Sequence, residues 1–299
     1  MKIAHFSDLH ICADYRKENI QSTRDAIEYA LKAGCDHFAI TGDLSHLGSK
    51  RDYEILRHLF ESYGLLDPEK LSLTIGNHDI FGGVQLAEDL IHFPRRCKTV
   101  NLRKKTESFI EFFRESFDNF YPHDQEHVFP FAKVVQDVVF FGIISPMAYS
   151  IVKNPTASNG HVSKTHRQLL ANLICRNEFQ NKLKIVLIHH HFYKHSTLRM
   201  SRKCSWWDRI ESHTMKLYKK HRLLTLFSQY GIDLVLHGHV HEYKRYQKRN
   251  VVFLNGAGCF ADKRRQNLEM NIILTSSKHF EIERHHFPSS LKKPVFAII

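Results

Sequence analysis

Aspartate, histidine and asparagine recur in this chain in short clusters that suit divalent metal ions. Asp8-Leu9-His10 sets a carboxylate and an imidazole two residues apart. Gly42-Asp43 adds a carboxylate with room to bridge two ions, and Gly76-Asn77-His78-Asp79 adds an amide oxygen at Asn77. His189 opens a run of three histidines, and His237-Gly238-His239-Val240-His241 supplies further imidazoles. Carboxylate and imidazole donors suit manganese, iron or zinc. Asp8, His10, Asp43, Asn77, His189, His237 and His239 together make seven donors, enough for two ions. Two neighbouring ions acidify a water and clamp phosphoryl oxygens, which is the chemistry of phosphoester hydrolysis.

Each cluster follows an apolar run that reads as a β-strand, so the donors gather at strand ends, where sites form in α/β sheets. Strands are expected at residues 2–7, 37–41, 71–75, 183–188 and 233–236. Between the first two, Asn19 is a candidate cap for a helix over 19–33, which Gly34 ends. Ser49 followed by Asp52 resembles a capping box for the next helix. This strand–helix–strand rhythm predicts stacked βαβ units. Farther on, Phe109, Phe113, Phe117 and Phe120 mark a helix over 107–121 whose phenylalanines form a core stripe. Residues 128–135 and 138–144 read as a hairpin, Ser163 as the cap of a helix to Cys175, and 251–254, 270–275 and 279–285 as further strands.

The 299 residues suffice for one large α/β domain spanning 1–299. The chain enters its first strand at once, without an apolar leader, and no apolar run reaches the roughly 20 residues of a membrane span. Six cysteines without a CxxC pair fit reduced thiols and a cytoplasmic location. Formal net charge is +12, and residues 194–265 carry sixteen Lys and Arg against five Asp and Glu. Such a region suits phosphate-rich partners or an anionic membrane, or is a solvated face. The long connection at about 192–230, with Trp206 and Trp207 and a basic helix expected over 210–230, reads as a lid or cap. Its tryptophans suit a grip on substrate, on a second subunit or on a lipid interface, the last making the chain peripheral to a membrane. A C-terminal strand and tail follow at about 270–299.

The set of motifs resembles the calcineurin-like metallophosphoesterase superfamily, whose pattern is DxH, GD, GNHD or GNHE, a distant histidine, and GHxH. The resemblance covers about residues 1–260. It implies a four-layer αββα sandwich of two mixed β-sheets flanked by helices. It further implies two divalent ions, Mn2+ or Fe2+/Fe3+ first and Zn2+ next, and attack on phosphorus by a bridging hydroxide. Reading the last motif as LHGHVH, one ion falls to Asp8, His10, Asp43 and His239. The other falls to Asp43, Asn77, His189 and His237. His241 is then an outer group near the phosphate. His78, not a ligand, becomes the catalytic residue that contacts phosphate and serves the leaving group. Relatives often place a carboxylate near Ser45 and His46 and a proline after the distant histidine. Here His46, His190 and His191 stand in those places, which leaves His46 and His190 as candidates for substrate or supporting contacts.

The resemblance extends to the bacterial branch with cyclic-nucleotide phosphodiesterases, so phosphodiester hydrolysis is the first expectation. A nucleotide-lipid pyrophosphatase at a membrane surface, a DNA nuclease, a phosphomonoesterase and a non-catalytic scaffold are the alternatives. A nuclease of this type needs a capping domain for which little chain is left, and a scaffold is expected to have lost ligands. The expected partner is a phosphate-containing substrate, with self-association open and nucleic acid less favoured.

Overall fold

The computed structural model describes residues 1–85, 88–122, 128–193, 215–256 and 267–290. The first half builds β1 (Lys2–Phe6), α1 (Glu18–Lys32), β2 (His37–Thr41), α2 (Lys50–Ser62), β3 (Leu71–Thr74), α3 (Asn77–Phe81), α4 (Asp89–Thr99) and α5 (Leu102–Phe112). There follow β4 (Phe120–Pro122), β5 (Phe131–Val135), β6 (Val138–Gly142), β7 (Gly160–His161), α6 (Lys164–Ile174), β8 (Leu183–Leu187) and β9 (Leu217–Tyr218). The chain continues through α7 (Lys220–Gln229), β10 (Leu234–His237), β11 (Tyr243–Lys248), β12 (Val251–Gly256), β13 (Asn267–Ser276) and β14 (His279–Pro288).

These strands form two large mixed sheets. One has the order β14-β13-β1-β2-β3, the other β11-β12-β10-β8-β6-β5-β4. β1, β2 and β3 are parallel to one another, as are β6, β8, β10 and β12. Parallel strands buried on both faces read as continuous apolar runs. In β1, Ile3 faces a core shared with Ile185, Leu187 and Leu236 of the second sheet, while Ala4 and Phe6 face the helices. One cluster thus lies between the sheets, and the other two lie under the flanking helices. The result is the expected αββα sandwich.

Helix faces follow the apolar spacing. α2 buries Tyr53, Leu56, Leu59 and Phe60, and its cap Ser49 accepts a hydrogen bond from the Asp52 amide at 3.1 Å. Burying each such side chain contributes about 1.5–3 kcal/mol. α6 likewise starts at Ser163, which accepts from the His166 amide.

Three expectations change. Asn19 lies inside α1 and is buried; its amide donates to the Leu9 and His10 carbonyls, both at 3.2 Å, so it holds the DLH loop and does not cap the helix. The phenylalanine helix ends at Phe112, and a 3-10 turn (Arg114–Phe117) carries the stripe onward; Phe109, Phe113 and Phe117 are buried as a core stripe should be. The basic helix begins only at Lys220, because Leu217–Tyr218 pairs with β7 as a strand. Most of the expected lid, including Trp206 and Trp207, and the tail at 291–299 lie outside the described residues. Among the described residues no helix is long and apolar enough to cross a membrane.

Candidate metal centre

Every metal-type residue of the sequence motifs sits where a parallel strand stops. Asp8 and His10 follow β1, Asp43 follows β2, Asn77 and His78 open α3 after β3, and His189 follows β8. His239 and His241 follow β10. Backbone bonds tie these loops together: Asp8 N–H donates to Gly42 O at 3.0 Å, His10 N–H to Asp43 O at 2.9 Å, and Gly238 N–H to His189 O at 3.0 Å. Asp8, His10, Asp43 and His239 all adopt the left-handed region, with φ of 56°, 46°, 51° and 74°. Such strain in non-glycine residues costs about 1–3 kcal/mol each and gathers at functional sites. Two glycines permit the close approach: a Cβ at Gly76 would lie 2.1 Å from Asp43 Oδ1, and one at Gly238 would lie 2.4 Å from Asp8 Oδ2.

The donors fall into two groups. In the deeper one, His189 Nε2 lies 3.1 Å from Asn77 Oδ1, 3.2 Å from Asp43 Oδ2 and 3.1 Å from His239 Nδ1. In the outer one, His10 Nε2 lies 3.2 Å from His241 Nε2, and Asp8 Oδ1 lies 4.0 Å from the former and 3.6 Å from the latter. The fit to a cation is a matter of lone pairs. His189 Nδ1 lies 2.8 Å from the Thr41 carbonyl, to which only a protonated nitrogen can donate. Its Nε2 therefore meets Asn77, Asp43 and His239 with a lone pair, unless a second proton is taken up. Ligands held on bonds of about 2.1 Å stand roughly 3.0–3.4 Å apart. The deeper group already has that spacing.

The electrostatics agree. Burial opposes a charge on His189, but the Asp43 and Asp8 carboxylates outweigh it and push its pKa up to about 9. Burial would raise Asp8, yet the hydrogen bond and charge of His241 bring it down to about 2. Asp43 is buried too, and the imidazoles of His189 and His78 hold it well below the usual carboxylate range. A cluster that stabilises carboxylates and draws a proton onto a buried imidazole is one that attracts cations.

His237, expected from the sequence as a ligand, lies outside both donor groups among the described residues. As the last paired residue of β10 it points where the pleat sends it, and its Nε2 lies 2.9 Å from the Tyr246 hydroxyl. Burial lowers its pKa to about 3, so it is a neutral acceptor. The turn at Gly238 then swings His239 into the deeper group and His241 into the outer one. The donor groups thus contain His239 and His241, whereas the expectation from the sequence names His237 and His239; His239 lies with Asp43 and His189, and His241 with Asp8 and His10.

The neighbouring histidines separate clearly. His190 is buried, with Nδ1 2.8 Å from Ser145 Oγ and Nε2 3.2 Å from Ser158 O, a supporting position. The His191 ring lies 4.6 Å from that of Tyr193, tilted against it, and 5.9 Å from that of His239. His46 and His78 join His10 in a third cluster, with ring centroids of His46 and His78 5.2 Å apart and of His10 and His78 4.5 Å apart. Nε2 of His46 is buried without a hydrogen-bond partner.

The family profile for calcineurin-like phosphoesterase matches residues 1–243. The chain belongs to the calcineurin-like phosphoesterase family. A dimetal phosphatase from Danio rerio superposes with a TM-score of 0.60 at 10% identity, covering 97% of this chain and 99% of that one. An archaeal phosphodiesterase gives a TM-score of 0.41 at 14% identity, covering 95% and 100%. At these identities the likeness to the phosphatase is one of fold. Comparison with curated protein sequences finds no match. Members of this family are phosphoesterases, and the Asp and His groups of this chain offer donors suited to metal ions.

In this calcineurin-like phosphoesterase two buried aspartates and a half-buried tyrosine steady the donors. Asp79 accepts from the Gly76 and Ser45 amides, both at 2.9 Å, and so joins the GNHD turn to the GD loop. Asp52 accepts from the Ser45 hydroxyl at 2.7 Å and the Ala13 amide at 3.1 Å, linking α2 to the loop after β1. Tyr246 accepts from the Phe192 amide at 3.2 Å while facing His237, which fastens the triple-histidine loop to the end of β10. The sequence reading passed over Asp52 and Tyr246, because a capping aspartate and a strand tyrosine carry no local sign of a distant partner.

Proposed function

We propose that this phosphoesterase hydrolyses a phosphodiester with two divalent ions. One is held by Asp8, His10, Asp43 and His241, the other by Asp43, Asn77, His189 and His239. The observation that carries this is the pairing of two donor groups around one buried carboxylate. Asp43 lies in the deeper group and is electrostatically coupled to His10 of the outer one. The mixture of carboxylate, amide and imidazole suits Mn2+ or Fe2+/Fe3+ first and Zn2+ next. When bound, such ions supply Lewis-acid stabilisation of phosphoryl oxygens and acidify water.

The chain's own groups do the rest. The Asp43 carboxylate accepts from the His78 amide at 2.7 Å, which fixes the turn carrying His78 beside the donors. His78 Nδ1 lies 3.2 Å from the His46 carbonyl, so it donates there, and the His78 ring lies 4.5 Å from that of His10 in the outer group. We assign Nε2 of His78, when it too carries a proton, to contact the phosphate and pass that proton to the leaving oxygen, leaving the neutral ring with its proton on Nδ1. His46 flanks it, and Tyr15 packs on His46 with ring centroids 5.2 Å apart. Four described cysteines, Cys12, Cys35, Cys97 and Cys175, are free, which supports a reducing, cytoplasmic setting.

A manganese-loaded panel tests the reading: a bis-aryl phosphodiester, cyclic nucleotides, an aryl phosphomonoester, a UDP-linked lipid and single-stranded DNA. Turnover of the small diesters well above the monoester is expected. A preference for the monoester would replace this reading with a phosphatase, and no turnover of any member would end it.

A further inference from the structure

Two stretches of described residues beside the metal centre carry no carboxylates. Residues 138–177 and 215–232 contain neither Asp nor Glu. The pairing of β7 with β9 joins these two stretches, and the Tyr218 hydroxyl donates to the Lys153 carbonyl at 3.2 Å. Cations crowd there: Lys219, Arg167 and Arg222 all act with burial to lower the pKa of His161, and Lys153, Lys219 and Arg222 are exposed.

An aliphatic tip rises from the same face. Ile151 is 64% exposed and Val152 is 87% exposed, and Tyr218 beside them is 38% exposed. The described residues have only two other large hydrophobics this exposed, Leu31 and Ile91. The tip is held out rigidly. Asn154 N–H donates to Ser150 O at 2.8 Å, and the buried Asn154 side chain donates to the Met147 carbonyl at 2.7 Å. The face also borders the metal centre, since Gly160 packs against the His190 ring, whose centroid is 4.4 Å from that of His239.

We propose that this face docks on an anionic lipid surface, with Ile151 and Val152 entering the headgroup boundary and Lys153, Lys219 and Arg222 meeting the lipid phosphates. The cations alone would fit any polyanion. The aliphatic tip decides for lipid, because apolar side chains gain by leaving water at a bilayer interface and gain nothing along a phosphate backbone. Docking there brings the metal centre alongside the bilayer. The proposal stands apart from the catalytic reading, because binding is measured without substrate.

Sedimentation of the full-length protein with vesicles tests it, comparing pure phosphatidylcholine with vesicles of about 30 mol % phosphatidylserine. The protein is expected to follow the anionic vesicles only, and to release as salt rises. Ile151→Ser with Val152→Ser should lower the partition by at least about tenfold. Lys219→Glu with Arg222→Glu should lower it by about fivefold per cation. Thermal melts of both variants at the wild-type midpoint certify folding, which these exposed positions allow. Wild-type protein that stays in the supernatant overturns the proposal. So does undiminished binding of the tip variant, and so does a preference for single-stranded DNA over vesicles that the tip variant retains.

Discussion

The two donor groups differ in how firmly the fold holds them. In the deeper group His189 is fully buried, its Nδ1 is fastened to Thr41 O at 2.8 Å, and its Nε2 lies within 3.2 Å of three other donors. In the outer group the His241 side chain is 42% exposed, and Asp8 Oδ1 and His10 Nε2 are 4.0 Å apart. His10 Nδ1 is buried with no hydrogen-bond partner, so no carbonyl fixes that ring as Thr41 fixes His189. Supporting hydrogen bonds set ring orientation and metal affinity. The deeper group is therefore preorganised, and the outer group must tighten when an ion arrives. The expected consequence is a tight ion at the first and an exchangeable one at the second.

The largest effect should come from Asp43, the residue proposed to serve both groups. Asp43→Asn removes a charge from both and should lower turnover by about 100- to 1,000-fold. Metal analysis of that variant should find both ions depleted; full retention of both would refute the sharing. Ligand replacement within each group separates them next. His241→Gln should weaken only the outer ion, so excess manganese restores most of its turnover. His189→Gln should resist rescue, because it also cuts the link to Thr41. Metal titration of turnover reads this directly, and equal rescue of the two variants would erase the distinction between the groups.

A smaller effect probes the register of the last motif. His237→Asn should keep both ions, because His237 faces Tyr246. Its cost should appear as about 1 kcal/mol of stability, from a half-buried phenol left without its acceptor. Denaturant midpoint and metal content measured on the same sample check this. An ion lost without a loss of stability would return His237 to the ligand set.

That register shows where sequence reading stops. The βαβ order of the first half was legible, since apolar runs, the Ser49 cap and the glycine stops are local signals. The donors were legible as types, because GD, GNHD and GHVH each put them just past a strand. Which imidazoles of the run 237–241 join the two donor groups was not legible. It depends on where β10 ends: His237 is still paired with Asn255, and only Gly238 begins the turn. The edge strand β11 was missed because Tyr243–Lys248 is largely polar and lacks an apolar alternation. The pairing of β1 with β13, in which Lys2 lies opposite Leu274, depends on contacts that no local pattern announces. Asn19 was misread for a related reason. Position and residue type suit a cap, but its amide instead serves the backbone of the DLH loop.

Asn19 also gives the finest test of the contrast between the groups. Its side chain is the buried polar support of the loop that carries Asp8 and His10, and it touches no donor atom of the deeper group. Asn19→Leu has similar bulk and leaves the Leu9 and His10 carbonyls without these donors. The cost should be about 1–3 kcal/mol of stability. The loop should then sample other geometries, and affinity at the outer group should fall by about tenfold, the lower end of what supporting partners contribute. The deeper ion should bind as before. Calorimetric titration with manganese on metal-stripped protein resolves two binding steps, of which only the weaker should move. If both steps weaken together, the groups form one coupled unit, and the preorganisation assigned to His189 alone would have to be shared with the outer loop.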